Sequence, residues 1–183
     1  MGRVDTLLIG GAMANTFLAA QGFEMGRSLV EEDRLPLART LLTRAQERGV
    51  DLLLPVDLIV AGSVEAHEGR CVAITEVGSD DMALDIGPAS VSRFAHPLAA
   101  ARTVLWNGPM GLFENGAFAG GTLGVAEAIG GAKGFTIVGG GDSVAAIQQA
   151  SMADRFDHVS TGGGAALELL EDKKLPGVEA LRS

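Results

Sequence analysis

Along the chain, short β-prone apolar runs give way to glycine-rich turns and then to helix-like stretches. VDTLLIGGAMANTFLAA, from Val4 to Ala20, is the first case. TVLWNGPMGLFE from Thr103, FTIVGGGDSVAAI from Phe135 and HVSTGGGAALELL from His158 repeat it. DLLLPVDLIVA, from Asp51 to Ala61, is apolar enough for a buried strand, but Pro55 cannot donate to a ladder. That run therefore predicts two short strands. MALDIGP predicts a strand over Met82 to Ile86 and a turn at Gly87-Pro88. Between these runs, Arg34 to Arg48 reads as a helix with Leu37, Leu41, Leu42 and Ala45 on one face, stopping at Gly49. Ser90 to Arg102 is helix-like, and Pro97 should kink or divide it near His96. Gly121 to Ile129 is a weaker helix before Gly130-Gly131. Asp142 to Met152 and Ala165 to Glu171 are the last substantial helices, ahead of the tail LPGVEALRS with one helical turn.

Strands alternating with helices predict an α/β fold: a doubly wound, mostly parallel sheet with helices on both faces, a Rossmann-like three-layer sandwich. Ligands of such sheets bind outside the carboxyl ends of the strands. The glycine turns fall at those ends, so several can converge on one crevice.

Composition narrows the ligand. The chain has 183 residues, 47% hydrophobic, 20% charged and 4% aromatic, an ordinary soluble profile near the size of one domain. No apolar run reaches the length of a membrane span, and none reads as a signal peptide. The single cysteine, Cys71, excludes an internal disulfide and points to a reducing, cytoplasmic setting. The formal net charge is −9, with lysines only at 133, 173 and 174. Such a surface repels a nucleic-acid backbone. A bound phosphate would then be held largely by backbone N–H groups. MGRVDT fits the loose pattern for N-acylation at Gly2, but it leads within two residues into an apolar strand and leaves little free arm for a lipid.

The loop VGGGDS combines glycines, which let a ligand approach the backbone, with the free N–H groups of a helix start. Asp142 within it repels a bare phosphate. It suits a metal on that phosphate, or it simply caps the helix. STGGGAALELL repeats the device, with Ser160 or Thr161 able to cap and Gly162, Gly163 and Gly164 opening the helix. Tight strand-to-helix packing would also favour glycines there. In LIGGAMANTF, Gly10 and Gly11 can pass under a flat ring or sugar. No P-loop, G-x-G-x-x-G or G-x-S-x-G pattern is present. In WNGPMGLFE, Trp106 reads as core, and Glu114 is either a solvated carboxylate or an acceptor for ribose hydroxyls. His67, His96 and His158 are dispersed, and Cys71 reads as a small buried hydrophobe.

IGGAMANTFL, LPVD, DIGP, WNGPMGLFE, GGGDSVAA and STGGGAALELLEDKKLPGVEAL follow in the order seen in phosphoglycerate kinases. Over essentially its whole length the chain resembles the C-terminal, nucleotide-binding half of that family. The resemblance implies Mg²⁺-dependent phosphoryl transfer between 1,3-bisphosphoglycerate and ADP, giving 3-phosphoglycerate and ATP in glycolysis. It implies that Gly11 and Ala12 lie beside the adenine. Leu29, Leu84, Leu112 and Pro109 would form its apolar slot, with Glu114 on the ribose. Asp142 would bind the metal. Gly140, Gly141 and Ser143 would meet the nucleotide phosphates, and Gly141, Gly163 and Gly164 the transferring phosphoryl. Ala12 stands where many members have a third glycine.

Two family features have no counterpart here: the basic N-terminal substrate domain, and a GAKV-like segment whose lysine reaches the phosphates. Residues 1–183 are accordingly expected to be one nucleotide-binding domain from a protein that is monomeric at full length, meeting phosphoglycerate only through the other domain. Its sheet is expected to expose an edge or an apolar face. Alone it should bind ADP or ATP weakly without turnover. The alternatives are a non-catalytic adenine-nucleotide-binding module and a dinucleotide-dependent oxidoreductase, for which the G-x-G-x-x-G fingerprint is missing.

Overall fold

A ladder of two strands lies between two hydrophobic cores. β1 (Thr6–Leu8) pairs in parallel with β2 (Asp51–Leu53), Leu7 opposite Leu52 and Leu8 opposite Leu53. Side chains alternate across a strand. Leu7 and Leu52 therefore pack on one core, and Leu8 and Leu53 on the other. A ladder covered on both faces needs unbroken apolar runs, which LLI and LLL supply. The computed structural model describes residues 4–160, 162–171, 173, 175–176 and 179–180. Gly2, Thr161 and Lys174, and Gly177, Val178 and Leu181 to Ser183 of the tail, lie outside the described residues.

α1 (Gly11–Ala20) and α2 (Leu35–Glu47) connect β1 to β2. β3 (Asp57–Ala61) is the centre of an antiparallel ladder with β4 (Arg70–Ala73) and β5 (Met82–Ile86). α3 (Pro88–Ala100) leads to β6 (Thr103–Asn107), and α4 (Gly120–Gly130) to β7 (Phe135–Gly139). α5 (Gly141–Gln149), β8 (His158–Ser160) and α6 (Gly163–Leu170) complete the order. β6, β7 and β8 form a parallel ladder in that order. One core gathers Phe94, Trp106, Val125, Ile129, Val138 and Ile147, and the other Phe17, Leu18, Leu58, Val60 and Val72. Trp106 is core as expected, its ring stacked 6.2 Å from that of Phe156.

The parallel ladders and their helices match the fold class read from the sequence, and Pro55 does separate two strands. Four features differ. β4 and the antiparallel ladder it joins were not foreseen. α3 runs unbroken through Pro97. The carbonyl that loses its donor to the proline is that of Arg93, an exposed position where water can replace it. In α2 the buried stripe is Ala38, Leu41, Leu42 and Ala45, while Leu37 lies just off it, 48% exposed. Cys71 is also exposed rather than buried.

α3 and α4 start without a side-chain cap of their own. Each is capped instead by a buried aspartate from a distant strand. Asp57 accepts from Ala89 N–H at 2.9 Å, Ser90 N–H at 2.7 Å and the Ser90 hydroxyl. Burial raises its pKa, but these bonds and the Cys71 thiol outweigh that and hold it below the ordinary carboxylate value. Asp85 accepts from Gly121 N–H at 2.6 Å and Ile86 N–H at 2.9 Å. Gly111 and Gly121 press so close to its carboxylate that neither has room for a Cβ. Burial pushes Asp85 up to about 7 against the pull of those two N–H groups.

The two carboxylates make opposite predictions. Asp57 lies below its unfolded value, so its contribution is present above about pH 4 and lost as pH falls. Replacing Asp57 with Ala orphans the N–H groups of Ala89 and Ser90, while the Ser90 hydroxyl keeps its bond to Asp57 C=O, and urea unfolding at pH 7 should show a loss of about 2–4 kcal/mol. Asp85 lies above its unfolded value, so its contribution is present at acid pH and lost as pH rises toward about 7. Asp85→Asn carries a fixed cost from an amide facing N–H groups, but no titration. Relative to that variant, the wild type should lose stability between pH 5 and 7 with a slope approaching about 1.4 kcal/mol per pH unit. Parallel urea midpoints for the two proteins across that window would refute this.

Candidate functional site

Strand register sets the first half of the site. Asn107 pairs with Gly139, and Gly139 with Ser160, so the carboxyl ends of β6, β7 and β8 lie in one row. The three loops that follow then interlock. Gly140 N–H donates to Ser160 C=O at 3.2 Å. Gly140 has φ +94°, the left-handed region that glycine enters freely, and a Cβ there would lie 2.5 Å from Asn107 Oδ1. A Cβ on Gly163 would lie 2.5 Å from Gly140 Cα and 3.1 Å from Asn107 Oδ1. The Ser143 hydroxyl is buried and accepts from Gly108 N–H at 2.7 Å, tying α5 to the loop after β6.

The α5 start is open. Its N-cap is Gly140, and no side chain caps it. Asp142 sits inside the first turn and is exposed, so it is not the cap that its sequence position also allowed. Gly141 and Asp142 begin the helix at exposed positions, where a helix start carries free N–H groups and a partial positive charge. Gly141 and Gly164 are both exposed, with no atom near the position of a Cβ and no left-handed φ. Neither neighbours nor backbone conformation require glycine at these two positions. Gly163 is different: it is buried, and close packing on Gly140 accounts for it.

The loop after β6 joins this half to a second. Gly11 N–H donates to Met110 C=O at 2.9 Å, and Leu112 N–H to Leu84 C=O at 2.8 Å. Gly11, with φ +60°, lies against the Pro109 carbonyl. Ala12 is exposed beside it, Leu29 is 67% exposed, and Leu84, Pro109 and Leu112 are half-buried. Phe113 is buried against Ala119 and Ala146, which anchors the exposed Glu114 near α5. The Asn115 amide donates to Val64 C=O at 3.0 Å and Ala66 C=O at 2.9 Å, closing the loop on the β3–β4 connection.

The structure thus draws Gly140, Gly141, Asp142, Ser143, Gly163 and Gly164 together, and gathers Gly11, Ala12, Pro109 and Leu112 around the neighbouring loop. Sequence reasoning missed Asn107 and Asp85. A polar residue ending an apolar strand was the available signal for Asn107. Asp85 carried no local signal, because the N–H it caps lies 36 residues away. Among the described residues no three His, Cys, Asp or Glu side chains cluster as a metal site. Magnesium on a nucleotide takes one or two carboxylates with phosphates and water, so a lone exposed Asp142 fits that ion. Among the described residues no helix is long and apolar enough to cross a membrane.

Comparison with known proteins bears on the family and the fold. The family model for phosphoglycerate kinase matches residues 1–173. A phosphoglycerate kinase of Moorella thermoacetica is 57% identical over 180 residues, which are 98% of this chain and 46% of that protein. One from Roseiflexus castenholzii is 54% identical over 182 residues, 99% of this chain and 46% of that protein. The solved phosphoglycerate kinase of Coxiella burnetii superposes with a TM-score of 0.92 at 42% identity, covering 97% of this chain and 46% of that one. The chain spans about half the length of the curated relatives it matches. It belongs to the phosphoglycerate kinase family.

Proposed function

We propose that residues 1–183 are the nucleotide-binding domain of a phosphoglycerate kinase, a cytoplasmic enzyme that moves a phosphoryl group between 1,3-bisphosphoglycerate and ADP in glycolysis. The observation that carries this reading is the aligned row of strand ends with an uncapped helix start and two glycines, Gly141 and Gly164, that no packing contact requires. An anion approaching the backbone supplies the missing reason for both.

In this reading adenine lies between Gly11 and Ala12 on one side and Leu29, Leu84, Pro109 and Leu112 on the other. The Glu114 carboxylate accepts from the ribose hydroxyls. Gly140, Gly141 and Ser143 meet the nucleotide phosphates, with the N–H of exposed Gly141 as a donor and that of Gly140 engaged by Ser160 C=O. Ser143 is fully buried and its hydroxyl oxygen accepts from Gly108 N–H, so it serves by fixing the loop beneath them. Asp142 would hold Mg²⁺, which neutralises phosphate charge when bound. The N–H of Gly164, and that of Gly163 from its more buried position, would steady the transferring phosphoryl. Phosphoryl transfer needs little more than positioned donors of this kind, because its charge spreads over oxygens that a fixed amide array can meet.

The second reading is a module that binds adenine nucleotide without catalysis, and the chain's span of 46% of its relatives favours it for the isolated chain. Phosphoglycerate would be bound by the other half of a full-length protein, taken to be monomeric. Without that half the proximity of the two reactants is lost.

Calorimetric titration of the purified chain should show Mg-ADP binding that weakens at least about tenfold in Asp142→Ala or on chelation of the metal. The same preparation should show no phosphoglycerate kinase turnover above background. Absence of binding sinks the nucleotide assignment. Turnover by the isolated chain, free of contaminating enzyme, sinks the claim that it is inactive alone.

A further inference from the structure

Four segments of the proposed adenine slot are tied in a closed ring. From α1, Asn15 Nδ2 donates to Leu29 C=O at 3.3 Å, and Thr16 Oγ1 accepts from Glu31 N–H at 3.1 Å. These bonds lay the segment 28–31 across the face of α1, one turn beyond Ala12. That segment reaches β5 through Ser28 Oγ, which accepts from Ala83 N–H at 2.8 Å. β5 reaches the next loop through Leu84 C=O and Leu112 N–H, and that loop returns to α1 through Met110 C=O and Gly11 N–H. Leu29, Leu84 and Leu112 each sit at or next to a link of the ring.

The ring's links differ in kind. Those of Leu112 and Gly11 are backbone to backbone. The links that hold Leu29 run through side chains, Asn15 and Thr16 on one side and Ser28 on the other. Asn15 and Thr16 are 2% and 4% exposed on an otherwise apolar helix. Burying two polar side chains there carries a cost unless they are hydrogen-bonded, and the segment 28–31 supplies the partners. Leu29 itself is 67% exposed and in no helix or strand, so burial of its own side chain does little to place it. Arg27 N–H to Asp81 C=O at 2.7 Å pins the segment's entry but leaves its far end to α1.

We infer that Asn15 and Ser28 are positioning residues that set the width of the purine slot by holding Leu29 against α1 and β5. This rests on the nucleotide reading above. Neither residue touches the ligand. Each acts through Leu29, so loosening it should weaken the hold on the base and leave the phosphate amides alone.

The test compares the wild-type chain with Asn15→Ala, Ser28→Ala and Ser28→Thr. Each is titrated with Mg-ADP and with Mg-tripolyphosphate, at a temperature where circular dichroism shows every variant fully folded. Removing one link should weaken Mg-ADP by about 3- to 10-fold and leave Mg-tripolyphosphate within about twofold. Ser28→Thr keeps the accepting hydroxyl and should bind Mg-ADP as the wild type does. Unchanged Mg-ADP affinity in both alanine variants overturns the inference while the nucleotide reading stands. So does equal weakening of the two ligands, which marks general loosening. Should Asn15→Ala fail to fold, the half-buried Ser28 pair decides the matter. A wild-type chain that binds no Mg-ADP overturns the nucleotide reading itself.

Discussion

Gly140 and Gly163 meet backbone to backbone, with the Asn107 carboxamide beside both, and no side chain fits between them. The rest of the site depends on that contact. It closes the ends of β7 and β8 onto β6 and sets the α5 start beside the α6 start. Register alone would align the strand ends without bringing the two helix starts together. The absence of two Cβ atoms does that, and the left-handed φ of Gly140 then turns the chain directly into α5. The same closeness that helps packing leaves N–H groups of both junctions on one surface. An acidic chain with few lysines can thereby offer a positively polarised surface without cationic side chains.

The second organising device is the remote cap. Asp57 and Asp85 both come from the antiparallel ladder and hold the starts of α3 and α4, which flank the parallel one. They show how similar placements diverge. Asp57 receives two N–H groups and a hydroxyl, enough to outweigh its burial. Asp85 receives two N–H groups in a tighter enclosure, and burial wins. Asp85 also packs on Gly111 in the loop that carries Pro109, Leu112 and Glu114. The ladder not foreseen from sequence thus braces the loop shared by both halves of the site.

How much of this was legible follows from range. The parallel strands and the glycine turns were visible because the period of a strand and the punctuation of its end lie within a dozen residues. The motifs around WNGP, GGGDS and STGGG named the family for the same reason. β4 was invisible: RCVA is four residues without a clear alternation, and it becomes a strand only because β3 offers an edge. Pro97 misled because helix breaking was weighed without asking whether the orphaned carbonyl faces water. Leu37 was placed on the buried face of α2, but the stripe that faces α1 is centred on its neighbour Ala38. The caps were out of reach, since their partners lie 33 and 36 residues away. For Asp142, sequence left cap and metal ligand open, and the geometry of Gly140 removed the cap.

The proposed anion cradle has a consequence for how such a protein can change over generations. Codon changes swap side chains but leave amide hydrogens in place. Grip on a phosphate is therefore insulated from most surface drift around Gly141 and Gly164. Vulnerability concentrates instead where one added methyl wedges the frame apart, as at Gly163, or stands in the anion's path, as at Gly141 and Gly164 themselves. A selection for altered phosphate preference would advance through insertions and deletions that bend the main chain, more than through exchange of one residue type for another.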